Sequence, residues 1–94
     1  MEKDIVHRNV DTGASLSVFR AAELHALIFE AYREADTIEI DMVNVTDCDT
    51  AGIQLLYSLK KSSLRDGKKI IIKNISRAVE NTLNRMCIPI NTII

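Results

Sequence analysis

The run Lys69-Ile70-Ile71-Ile72-Lys73 narrows the possible fold more than any other feature of this 94-residue chain. Three consecutive β-branched residues do not alternate apolar with polar, as a strand with one wet face would. Such a run is what a strand covered on both faces, or nearly so, looks like. An amphipathic stretch reaching to about Arg65 precedes it, followed by Asp66-Gly67, where Gly67 can take the left-handed conformation just past a helix end. Earlier still, Ile38, Ile40 and Met42 alternate with Thr37, Glu39 and Asp41 until the pattern breaks at Val43 and Asn44. Strand, helix and strand in that order predict a βαβ unit, with the two strands paired in parallel through the helix.

The rest of the chain adds shorter elements. Asp4 to Val10 and Ala14 to Val18 flank Asp11-Thr12-Gly13, a turn signal, and read as an antiparallel N-terminal hairpin. From Phe19 to Ala35 the apolar residues Leu24, Leu27, Ile28 and Ala31 recur at helical spacing. Ser76 is placed to cap a third helix whose Val79, Leu83 and Met86 face the sheet, and Pro89 discourages continuation past Ile88. Asn91 to Ile94 is read as a short edge strand. The expected fold class is therefore α/β: one domain over residues 1–94, a mixed sheet of four to five strands, and three to four helices.

Composition closes off several functions. The length suits one small domain, and 47% hydrophobic residues suffice for a single two-layer core. A net charge of −1 lacks the basic footprint of a nucleic-acid binder. No apolar run approaches the roughly 20 residues that span a bilayer, and Met1-Glu2-Lys3-Asp4 has no signal-peptide apolar core, so a cytoplasmic location without membrane insertion is expected. Cys48 and Cys87 have neither zinc nor redox-pair spacing and read as free thiols. His7 and His25 are isolated from other ligand-type residues. Gly13, Gly52 and Gly67 form no phosphate loop. No catalytic residue, metal or cofactor is expected, and catalysis is not predicted.

The chemistry instead concentrates at Asp49-Thr50-Ala51-Gly52, where the strand from Thr37 turns into the helix. A threonine at such a corner ordinarily serves as an N-cap, accepting from an amide of the first turn. Asp47 and Asp49 shape the turn and favour the positive end of the helix dipole. Turning the helix at 100° per residue gathers Gly52, Leu55, Leu56, Leu59 and Ser63 on a buried side and Gln54, Ser58, Lys61 and Arg65 on a solvated one. Ile53, Tyr57 and Leu64 form a flank near Thr50. That flank is either covered by another part of the chain or an apolar docking patch beside the hydroxyl. As a patch, it predicts that Ile53→Ser and Tyr57→Ala each weaken partner binding by more than about 1 kcal/mol while folding is kept.

The order of strand, acidic turn, Asp-Thr-Ala-Gly, Leu-rich helix, Asp-Gly and β-branched run resembles the STAS family, the bacterial anti-sigma factor antagonists and their relatives. The resemblance extends upstream through Leu16-Ser17-Val18-Phe19-Arg20-Ala21-Ala22-Glu23-Leu24 and downstream through Asn74-Ile75-Ser76, Val79, Leu83 and Met86. In antagonists a partner kinase phosphorylates the hydroxyl directly after the Asp, which here is Thr50. The resemblance implies a non-enzymatic switch that binds an anti-sigma factor or serine/threonine kinase. Its candidate partner-binding residues are Ser17, Asp49, Thr50, Ile53, Gln54 and Tyr57. Antagonists often carry Asp where this chain has Ser17, and often Ser where it has Thr50. These departures leave room for a second reading, an accessory STAS subunit docked on the ATPase of a phospholipid ABC transporter.

Overall fold

Ile38 and Ile40 point to one side of the central strand and are fully buried, while Thr37, Glu39 and Asp41 between them are only half-buried. The computed structural model describes residues 6–93. Its main sheet has the order β1 (His7–Asp11), β3 (Thr37–Asp41), β5 (Lys69–Lys73), and both pairings are parallel. The register aligns Val10, Ile40 and Ile72, and beside them Arg8, Ile38 and Ile70. Val10, Ile38, Ile40, Ile70 and Ile72 thus form an apolar floor.

Three helices close that floor into one core. α1 (Ala21–Glu34) contributes Leu24, Ile28 and Tyr32, α2 (Thr50–Asp66) contributes Ile53, Leu56 and Leu59, and α3 (Arg77–Arg85) contributes Val79 and Leu83. Leu27, expected on the buried stripe of α1, is 43% exposed, and Tyr32 takes its place in the core. Tyr32 keeps its hydroxyl satisfied by donating to Asp66 at 2.5 Å, and burial with that carboxylate neighbour pushes its pKa up to about 12. Helix ends follow the local rules. Gly67 terminates α2 with φ of 70°, and the Ser76 hydroxyl accepts from the Val79 amide at the start of α3.

The expected hairpin does not form. β2 (Ser15–Leu16) continues past Gly13 and pairs in parallel with β4 (Asp47–Cys48), making a second, two-stranded sheet. Gly13, with φ of 77°, offsets the chain instead of reversing it. The Arg20 guanidinium then holds the offset by donating to the carbonyls of Thr12 at 2.6 Å and Ser15 at 2.9 Å. The five strands match the expected number, but every pairing among the described residues is parallel. Asp4 and Ile5 of the expected first strand lie outside those residues. The β5 run is not covered on both faces either, since Ile71 is half-buried on a side that carries the Glu39–Lys73 ion pair at 3.0 Å. At the other end, residues Ile90–Thr92 form a 3-10 turn and not an edge strand, and Ile93 buries itself in the core; Ile94 lies outside the described residues. No helix among the described residues is long and apolar enough to cross a membrane.

Candidate functional site

The corner is built where the small sheet meets α2. β4 leads the chain into the helix start, and the Leu16 carbonyl, accepting from the Asp49 amide at 3.2 Å, ties β2 to it. Asp49 has extended backbone and is the N-cap: its Oδ1 accepts from the Gly52 amide at 3.0 Å. Its Oδ2 accepts from the Val18 amide at 2.9 Å, tying the 3-10 turn Val18–Arg20 to the same helix end. One carboxylate therefore fixes two segments that are 31 residues apart. Those amide bonds, from Val18 first and then Gly52 and Ala51, hold the Asp49 carboxyl below the usual carboxylate range.

A carboxyl whose folded pKa is lowered contributes stability that is present above its unfolded value, about 4, and is lost as pH falls through the folded value. Asp49→Asn is expected to cost about 1 kcal/mol at neutral pH, because an amide nitrogen cannot accept from Val18. The gap between variant and wild type should close as pH falls below 4, measured by thermal unfolding at stepped pH. A gap that is constant to pH 2 would remove the charge from the explanation.

Thr50 is exposed and is the first helical residue, so the capping role expected of it belongs to Asp49. Its hydroxyl makes no hydrogen bond among the described residues, which leaves it without a structural duty. Gly52, two residues on, is where α2 comes closest to β2: a Cβ there would sit 2.2 Å from the Leu16 carbonyl oxygen. Cys48 stays buried beneath the corner, with its carbonyl accepting from the Thr82 hydroxyl of α3 at 3.0 Å, and burial pushes its thiol pKa up.

The residues expected to bind a partner separate into two groups. Thr50, Gln54 and Tyr57 are exposed along one side of α2, and Asp49 is half-buried at its start. Ser17 is 2% exposed and shares a 2.8 Å hydrogen bond with Ser15, which in turn donates to Asp47 at 3.2 Å. Ile53 is 1% exposed, because the segment after α3 comes alongside it. Ile53, Gln54 and Tyr57 with Met86, Cys87, Ile88, Pro89 and Thr92 line a mostly apolar groove of about 430 Å³. Ile53→Ser is accordingly expected to cost about 2–3 kcal/mol of stability as a core truncation. Chemical denaturation checks this, and an unchanged midpoint would return Ile53 to the surface.

Two apolar residues next to the corner were not anticipated. Val18 is 57% and Phe19 94% exposed, in the turn that Asp49 anchors. The available signal was angular: five residues before Leu24, Phe19 lies roughly 140° from it around a helix, off the buried stripe.

The model of the STAS domain family matches residues 4–88. The chain belongs to the STAS family. No curated protein matches it. Among solved structures, this STAS domain is similar to the crystal structure of a sulfate transporter family protein from Wolinella succinogenes. The TM-score is 0.68 over 90% of this chain and 71% of that one, at 16% identity. At that identity the likeness is one of fold. The exposed surface of this STAS domain around the corner includes a free hydroxyl, two exposed apolar side chains and the outer side of α2.

Proposed function

We propose that this chain is a non-enzymatic regulatory STAS protein of the anti-sigma factor antagonist type, which binds an anti-sigma factor or serine/threonine kinase and is switched by phosphorylation of Thr50. The observation that carries the reading is the Thr50 hydroxyl: exposed, unbonded among the described residues, and set on a helix start held rigid from both sides. Asp49 fixes the backbone there, and the approach of Gly52 to Leu16 fixes the helix against β2. A hydroxyl with no internal partner is open to a kinase, whose own base takes the proton as the oxygen attacks the γ-phosphorus of ATP and ADP leaves, while the absence of a hydrogen-bonded base among the described residues gives it no activation as a catalytic nucleophile within this chain. Its surroundings can read the change, since Val18, Phe19 and Tyr57 offer the apolar contact area that central interface anchors supply.

Ser17 favours a second reading. It is a buried hydroxyl where antagonists often carry an acidic residue, so this segment brings no carboxylate to the hydroxyl. An accessory subunit docked on the ATPase of a phospholipid ABC transporter needs the shape of the corner and no phosphate. Incubation with a candidate partner kinase and ATP, followed by intact-mass measurement and phosphate mapping, tests the first reading. One phosphate on Thr50, absent in Thr50→Ala, is the expected result. Tight complex formation with no phosphate, or with phosphate elsewhere, would favour the docked subunit.

A further inference from the structure

We propose that the face around Thr50 receives a protein surface that is apolar at its centre and cationic at its rim, with Phe19 as the anchor; this rests on the reading of Thr50 as part of a docking face. Phe19 is the most exposed large apolar residue described, and Val18 beside it and Val43 on the loop after β3 are each 57% exposed. All three lie at the carboxyl ends of the parallel strands, the same end as the start of α2.

The rim of that end is acidic. Asp11 accepts from the Gly13 amide at 2.8 Å and from Asn44 at 3.0 Å. Asp41 accepts from the Val43 amide at 2.9 Å and from Asn74 at 3.2 Å, and among the described residues Asp47 accepts only from Ser15. Every one of these donors is neutral. Neutral donors orient a carboxylate without cancelling its charge, and none of the three carboxylates has an ion pair among the described residues. Of the cations near this end, Arg20 is held by two carbonyls and Glu23, Arg85 donates to the Thr82 hydroxyl, and Lys73 pairs with Glu39 while its charge adds to the Val43 and Asn74 hydrogen bonds in lowering the Asp41 carboxyl pKa.

Apolar side chains that share one end of the sheet with carboxylates lacking an ion pair among the described residues select a partner by complementarity of both kinds. The sign of the rim disfavours nucleic acid and anionic lipid, which carry the same charge. A protein helix or loop presenting an apolar pocket or ridge edged by Arg or Lys satisfies both features. The cations answer the rim, so the centre, where Thr50 lies, is read by shape and dryness.

A library of random twelve-residue peptides displayed on phage, panned on the wild-type protein and counter-selected on Phe19→Ser, tests this. Phe19→Ser should keep the wild-type thermal midpoint, since the ring packs on almost nothing. The expected outcome is enrichment of sequences combining Arg or Lys with aromatic or aliphatic residues. Their affinity should fall about tenfold for Phe19→Ser, again for Asp47→Lys, and again between roughly 50 and 300 mM salt. No Phe19-dependent enrichment, an acidic consensus, or salt-insensitive binding would overturn the proposal. So would sedimentation showing self-association that Phe19→Ser abolishes, since the face would then belong to a second copy. Thr50→Glu separates the docking face from the switch. If selected basic peptides bind through Phe19 yet tolerate or prefer Thr50→Glu, the switch reading fails and this one stands. If Thr50→Glu blocks binding while Phe19→Ser has no effect, the reverse holds.

Discussion

Gly52→Ala is expected to destabilise the domain by about 3 kcal/mol or more, although alanine is the better helix former by about 1 kcal/mol. The added methyl carbon would lie 2.2 Å from the Leu16 carbonyl oxygen and 2.8 Å from the Leu16 carbonyl carbon and Cγ. Two of those atoms are backbone, so no rotamer change relieves the overlap. Either α2 lifts from β2 or β2 moves, and Leu16 is fully buried and cannot follow cheaply. Separation also stretches the bond from the Asp49 amide to the Leu16 carbonyl, and with it the helix start that presents Thr50. Such a loss is a large fraction of the stability of a small domain. Urea unfolding of both proteins measures it. An alanine variant as stable as wild type would mean that helix propensity prevails and that the close approach is not needed.

That glycine shows which parts of the fold are legible in one dimension. The Asp-Thr-Ala-Gly corner, the stop at Gly67, the cap at Ser76 and the βαβ order are all set by residues within a few positions of one another, and sequence patterns capture them. The N-terminal segment is different. Asp11-Thr12-Gly13 has the composition of a reversing turn, but the path of β2 is decided by pairing with Asp47–Cys48 and by Arg20 reaching back to the Thr12 and Ser15 carbonyls. Those are long-range events that leave no local mark. Ile71 misled in the same way: a β-branched triplet signals burial, yet in a three-stranded sheet the second face is left to Glu39, Lys73 and water.

The candidate site divides along the same line. Thr50, Gln54 and Tyr57 are exposed as the helical wheel places them, because the angle of a residue on a helix is a local property. Whether a given angle is covered is not. Ile53 shares the flank of Tyr57 but disappears under the segment from Met86 to Ile93, whose position depends on Pro89 and on Ile93 entering the core. Phe19 is the converse case. It sits at the head of a helical pattern but in a 3-10 turn ahead of α1, outside the stripe, so its ring meets solvent.

Charge at Thr50 is expected to have the largest effect on binding and almost none on folding. Since Asp49 holds the cap, Thr50→Ala should shift stability by less than about 0.5 kcal/mol, below the loss expected if Thr50 itself were the cap. A phosphate there adds roughly −1.5 to −2 charges at neutral pH. The helix start favours it by about 0.3–1 kcal/mol, while Asp47 and Asp49 oppose it by a similar amount, so the fold survives. The complex does not share that balance. A dianion pressed into an apolar contact must shed its water without a cation in place, and a penalty of ~4 kcal/mol weakens association about a thousandfold. Thr50→Glu carries one charge and should weaken it less but in the same direction. Titration calorimetry with the isolated partner, using wild type, phosphorylated wild type and Thr50→Ala, separates the two functions. A switch predicts that Thr50→Ala binds like unmodified wild type and is insensitive to kinase. A permanent dock predicts that the alanine variant itself binds more weakly, because the lost methyl and hydroxyl are part of the fit, and that kinase treatment changes nothing. Equal affinity of all three forms would place Thr50 outside the interface and end both readings.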